Sequence, residues 1–132
     1  MVKTLVFSTR ARSQMVDITQ EVAAVVLESG VTRGVCRVFV PHTTAAVTIN
    51  ESADPDVAAD VLAALDGLVP WKGGYRHREG NSAAHIKSSL VGPELALLVE
   101  DGRLVLGTWQ GVFLCEFDGP RKRKVHVRVD EA

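Results

Sequence analysis

Three stretches, far apart in the chain, hold nearly all the side chains able to do chemistry. The first is His42-Thr43-Thr44 with Asn50 and Glu51 close behind. An imidazole at the end of an apolar run can carry a proton or ligate a metal, and the Thr43 and Thr44 hydroxyls can receive an anion. Glu51 can serve as a general base or bind a divalent ion, with Asn50 beside it as a polar contact to substrate. The second stretch holds His77, Asn81, His85 and Lys87. The third holds Trp109, Gln110, Glu116 and Arg121. Arg121 can fork onto a phosphate or carboxylate, and the Asn81 and Gln110 amides can both donate and accept. Together they read as three walls of one site. His42, His77, His85, Glu51 and Glu116 are its candidate catalytic groups. Thr43, Thr44, Asn50, Asn81, Lys87, Gln110 and Arg121 are its candidate substrate contacts.

His77 and His85 lie eight residues apart, which fits no fixed ligand pattern. A metal therefore depends on the intervening loop folding both imidazoles toward His42. Three histidines with an open position would hold zinc or another divalent ion, in a site of catalytic type. Lys87 sits among apolar residues, where a cation is costly without an anion. Lys122, Arg123 and Lys124 read as a solvated strand edge, and His126 as exposed.

The elements that must position these groups are legible in the pattern of apolar residues. Asp17 to Gln20 has the form of a capping box, and Ile18, Val22, Val25 and Val26 then fall on one helical face before Gly30. Asp54-Pro55-Asp56 opens a second helix whose stripe is Val57, Val61, Ala64, Leu65 and Leu68. Val2 to Thr9, Gly34 to Val40, Ala46 to Asn50, Ile86 to Leu90, Leu95 to Val99, Leu104 to Leu106, Val112 to Asp118 and Lys122 to Val129 read as strands. Asp101-Gly102 marks a tight hairpin. This is a single α+β domain over residues 1–132, mainly antiparallel sheets with two principal helices. The stretch from Pro70 to Ala84 lacks apolar periodicity and is expected to be an ordered functional loop.

Bulk properties narrow the partners. The chain has 132 residues, 46% hydrophobic and 23% charged, so it can bury a core of ordinary size. A formal net charge of −1 gives no reason to expect nucleic acid or a membrane as partner. No signal peptide or membrane span is evident, and a cytoplasmic location is expected. Cys36 and Cys115 lie in apolar runs and read as buried free thiols.

The motifs occur in an order that carries a resemblance. His42-Thr43-Thr44-Ala45-Ala46 precedes Ile49-Asn50-Glu51, then come His77, Gly80-Asn81 and His85-Ile86-Lys87, then Gly107-Thr108-Trp109-Gln110 and Asp118-Gly119-Pro120-Arg121. Over nearly the whole chain this resembles the YjbQ family, also called UPF0047. The resemblance implies a sandwich-like α+β fold and a homotrimer. It also implies a thiamine-phosphate synthase-like activity joining a pyrimidine diphosphate to a thiazole phosphate, with release of pyrophosphate. Such a site would stabilise the leaving diphosphate with Lys87, Arg121 and a divalent ion, Zn or Mg. Asn81 and Gln110 would orient the pyrimidine, and Trp71 or Trp109 would stack on a ring. The same residues suit a metal-dependent hydrolase, or a non-catalytic trimeric module for a small anionic or phosphorylated metabolite.

Overall fold

Period-two alternation builds the larger sheet. In β8 (Lys122–Glu131), Val125 and Val127 are fully buried while Lys124 and Arg128 face solvent. β8 pairs with β1 (Val2–Ser8) on one side and β3 (Arg33–Phe39) on the other, and β5 (Glu94–Glu100) and β6 (Arg103–Leu104) complete the order β1-β8-β3-β5-β6. Every pairing is antiparallel. Asp101 and Gly102 both have positive φ, 52° and 72°, as a two-residue primed turn between β5 and β6 demands.

A second sheet has the order β2-β7-β4, from Gln14–Asp17, Gln110–Glu116 and Ala45–Glu51. Helix α1 (Thr19–Ser29) joins the two sheets. Ile18, Val22, Val25 and Val26 share one core with Val125 and Val127 of the larger sheet and Val47, Val112 and Leu114 of the smaller. On the reverse face of the smaller sheet, Ala46, Phe113 and Cys115 pack with Phe117 and with Leu62 and Leu65 of α2 (Pro55–Leu68). The central strand β7 is thus covered on both sides, which explains its unbroken apolar run. In β8, where buried Val125 and Val127 alternate with exposed Lys124 and Arg128, each fully buried Val contributes roughly 1.5–3 kcal/mol, so a one-residue slip that exchanged the two faces would be prohibitive. The computed structural model describes all residues 1–132, and none of its helices is long and apolar enough to cross a membrane.

The structure corrects the expected elements in four places. Residues 86–90 are not a strand: Ser82–Val91 form a third helix, α3. Its buried positions are Ala83, Ala84, Lys87 and Ser88, a helical spacing written in small and polar residues, whereas the apolar Ile86 and Leu90 are exposed. The loop therefore ends at Asn81. The short strand β2 was not legible as a strand. Helix α1 starts at Thr19, later than a capping box at Asp17 would place it, and Asp17 Oδ1 accepts from the Thr19 N–H and hydroxyl at 3.0 and 2.5 Å. In α2, Asp54 caps as expected by accepting from the Asp56 N–H at 2.9 Å, but Leu68 is exposed and Leu62 takes its place in the packing.

Candidate functional site

Three connections meet at one end of the smaller sheet. The β3–β4 link carries His42, Thr43 and Thr44. The start of α3 carries Asn81 and His85. The β7–β8 turn carries Asp118 and Arg121, and Arg123 follows in β8. They enclose an open cavity of about 370 Å³ that no hydrophobic side chain lines. Six of the sequence-predicted residues reach it: His42, Thr43, Thr44, Asn81, His85 and Arg121.

Its floor is a buried ion pair. Glu116 is fully buried and Arg123 is 3% exposed. Arg123 Nε donates to Glu116 Oε1 at 2.8 Å, and its Nη2 donates to Glu116 Oε2 and to Thr44 Oγ1. The Thr9 hydroxyl and the Asp118 N–H complete the set at 2.7 and 3.0 Å. Burial alone would raise the Glu116 pKa, but these donors outweigh it and hold the carboxyl below its ordinary value. A carboxylate fixed in this way belongs to the architecture of the site rather than to proton transfer. Gly119 keeps the β7–β8 turn against this floor: a Cβ there would lie 2.3 Å from the Ala11 carbonyl and 2.8 Å from Glu116 Cγ.

Asp118 organises the wall above. Its Oδ2 accepts from Asn81 Nδ2 at 2.9 Å and from Arg121 Nη2 at 3.0 Å, and its carbonyl accepts from Arg121 Nε at 2.7 Å. The Arg121 side chain remains 54% exposed, with N–H groups left for a ligand. Asn81 is buried, and its Oδ1 has no partner. It is also the N-cap residue of α3, whose first free backbone N–H groups and positive dipole end suit an anion.

His42 Nε2 accepts the Lys124 N–H at 2.9 Å, so the neutral ring carries its proton on Nδ1. Burial lowers the His42 pKa, and Arg123 lowers it further against a smaller opposing pull from Glu116. His77 is exposed and meets His85 edge-on, with ring centroids 5.3 Å apart.

Four predicted site residues, Asn50, Glu51, Lys87 and Gln110, lie elsewhere. Ala45 pairs with Glu116 at the cavity end of the β4–β7 ladder, and Glu51 pairs with Gln110 at the other. Asn50, Glu51 and Gln110 thus stand about 20 Å away along the strands, at roughly 3.3 Å per residue. Trp109 is at that far end and 62% exposed, while Trp71 lies beneath the Arg12 guanidinium, 4.2 Å from the ring centroid. Lys87 points inside, where it pairs with Asp66 and lies 5.9 Å from the Phe117 ring centroid. No group of three or more His, Cys, Asp or Glu side chains is placed to hold a metal ion. With His42 Nε2 taken by a backbone N–H and His77 set edge-on to His85, the three-histidine centre does not form. Cys36 and Cys115 are free and buried as expected, and burial pushes their thiols up to about 11 and about 12.

Sequence reasoning missed Glu79, Asp118 and Arg123, all of which line the cavity. Arg123 had a signal: it shares the odd-numbered, inward face of Val125 and Val127. Asp118 had only its place in a Gly-Pro turn.

Two antiparallel sheets with a polar, histidine-bearing cavity between their connecting loops define a compact α+β domain with a small-molecule-sized site. The model of the "UPF0047 protein YjbQ-like" family matches residues 3–132. The chain belongs to this family. It is 52% identical over 130 residues to the UPF0047 protein YugU of Bacillus subtilis, covering 98% of both chains. A UPF0047 protein of Methanocaldococcus jannaschii is 49% identical over 92% of this chain and 88% of its own. The fold superposes with a TM-score of 0.96 on the crystal structure of a YjbQ/UPF0047 protein from Clostridium acetobutylicum, 52% identical, covering 97% of this chain and 99% of that one. It superposes equally well, at 0.96, on a protein from Sulfolobus solfataricus that is 33% identical, covering 100% and 97%.

Proposed function

We propose that the cavity binds a small phosphorylated metabolite, with the anionic group between Arg121 and the N-terminus of α3. The observation that carries this reading is the Asn81–Asp118–Arg121 network. It fixes one guanidinium beside a helix start, in a cavity lined, Pro41 apart, by polar and charged residues. His42 and His85 are the proton carriers. Neutral His42 presents Nδ1–H as a donor while Nε2 is held by the backbone.

Formation of thiamine phosphate asks more of the same site. It needs two phosphate-bearing substrates and stabilisation of the departing diphosphate. Arg121 with the α3 N-terminus can serve one of these groups. Lys87, the second cation expected for the task, is buried and paired with Asp66, away from the cavity. Binding of one phosphorylated ligand is therefore the part of the reading that the geometry favours, and pyrophosphate release is the reaction to assay on it. The protein works as a homotrimer in this reading, within the cytoplasm.

The test is titration with inorganic phosphate followed by calorimetry, then incubation with the aminopyrimidine diphosphate and thiazole phosphate while pyrophosphate is measured. Arg121→Ala should weaken phosphate at least about tenfold, because a charge-assisted hydrogen bond is worth about 1.5–3 kcal/mol. The fold should survive, since the side chain is half exposed. Equal affinity in parent and variant would remove Arg121 from the site and refute the reading.

A further inference from the structure

The charges at the cavity do not balance against a phosphate alone. Glu116 cancels the charge of Arg123, and Asp118 cancels that of Arg121. Glu79, which also lines the cavity, is the carboxylate left over. Its side chain is 77% exposed, and its one ionic neighbour is His77, whose Nε2 lies 3.8 Å from Oε2, beyond hydrogen-bond distance. Arg76 and Arg78 stand on either side of His77 in sequence, yet neither is in an ion pair. His77 in turn meets His85, so Glu79 belongs to the same rim as His85 and the start of α3.

Hydrogen bonding leaves a matching surplus of acceptors. Both internal bonds to the Asp118 carboxylate end on Oδ2, and Oδ1 accepts none. The Glu79 carboxylate and the exposed Thr43 hydroxyl are likewise unbonded. An ionised phosphate ester has strong acceptor oxygens and no donor. It satisfies Arg121 and the α3 N–H groups, offers nothing to these acceptors, and adds negative charge beside Glu79. A ligand that meets all of them carries donors and a positive charge together with its phosphate.

We infer that the ligand is a phosphate ester bearing a protonated primary amine, its phosphate on Arg121 and the α3 N-terminus and its ammonium on Glu79. An NH₃⁺ group has three donors and no acceptor, the complement of Glu79, Asp118 Oδ1 and Thr43. A quaternary ammonium has the charge but no N–H, and the cavity has no Trp, Tyr or Phe to cage it. Glu79 sets specificity in two directions, attracting the ammonium and repelling ligands that bring only negative charge. A cavity of about 370 Å³ has room for both ends of a short ligand. This assignment rests on the phosphate reading above and narrows it to one class of substrate.

Calorimetric titration at neutral pH with propyl phosphate and with aminoethyl phosphate tests it, because the two differ only in a terminal CH₃ or NH₃⁺. Aminoethyl phosphate should bind the parent about five- to tenfold more tightly, as expected for a charge-assisted bond to a partly solvated carboxylate. Glu79→Gln, its fold checked by circular dichroism, should bring the ratio of the two dissociation constants close to unity. Equal affinities in the parent, or a preference that survives Glu79→Gln, would overturn the assignment. Inorganic phosphate that still binds the parent and is lost in Arg121→Ala would then leave the phosphate reading standing. A parent that binds neither ester nor inorganic phosphate would end both. Magnesium is the other way to set positive charge between a phosphate and a carboxylate. Propyl phosphate should bind equally with and without it. A gain from magnesium that exceeds the gain from the amine, and disappears in Glu79→Gln, would overturn the amine in favour of a metal-bridged phosphate.

Discussion

Glu116→Gln separates an architectural carboxylate from a catalytic one. The substitution keeps the volume and replaces one oxygen with an NH₂. Glu116 is fully buried and receives N–H groups from Arg123 and Asp118 and the Thr9 hydroxyl. An amide cannot accept from all of them, and Arg123, 3% exposed, keeps its charge with no counter-ion. Removing one partner of a buried pair costs about 3–5 kcal/mol, a large share of the roughly 5–15 kcal/mol that holds a domain together. At roughly 3–5 °C per kcal/mol for a chain of this size, Tm at pH 7 should fall by about 10–20 °C in scanning calorimetry. The folded pKa of Glu116 is depressed, so its contribution is present above the ordinary carboxylate range and is lost as pH falls through the folded value. The gap between parent and variant should close accordingly toward acid pH. Glu116→Leu combined with Arg123→Met should recover most of the loss, since an apolar pair of similar volume is often neutral. A drop of under about 3 °C at pH 7, with phosphate binding or turnover abolished, would refute this account and make Glu116 a general base.

Two further perturbations probe the neighbouring groups. His42 has its pKa lowered below 6.5, so the neutral ring is favoured by folding. Its stabilisation is complete above the unfolded value and lost as pH falls through the folded one. Proton NMR should show His42 titrating below 6.5, and a midpoint above that value would contradict the Lys124 N–H to Nε2 bond. Lys87→Met should leave phosphate affinity unchanged and cost less stability than Lys87→Ala, because Met fills the buried space whereas Ala opens a cavity. Loss of phosphate binding in Lys87→Met would return the lysine to the site.

Where the sequence reading succeeded and failed follows from what periodicity can register. Val125 and Val127 alternate strictly, and Val22, Val25 and Val26 repeat at helical spacing, so both sheet and helix faces were legible. Helix α3 was not, because its buried face is Ala83, Ala84, Lys87 and Ser88, and the eye follows Ile86 and Leu90 instead. That error carried Lys87 into the site: as a strand residue it had no anion in view, whereas one turn of helix sets it against Asp66. Arg123 failed for the converse reason, since its charge was weighed above its odd-numbered place beside Val125. The wider grouping of His42 with Glu51 had a different flaw. Motifs adjacent in sequence are separated by the length of the strand between them, and β4, running from Ala45 to Glu51, sends the two to opposite ends of the ladder. A straight seven-residue strand cannot bring its own ends together.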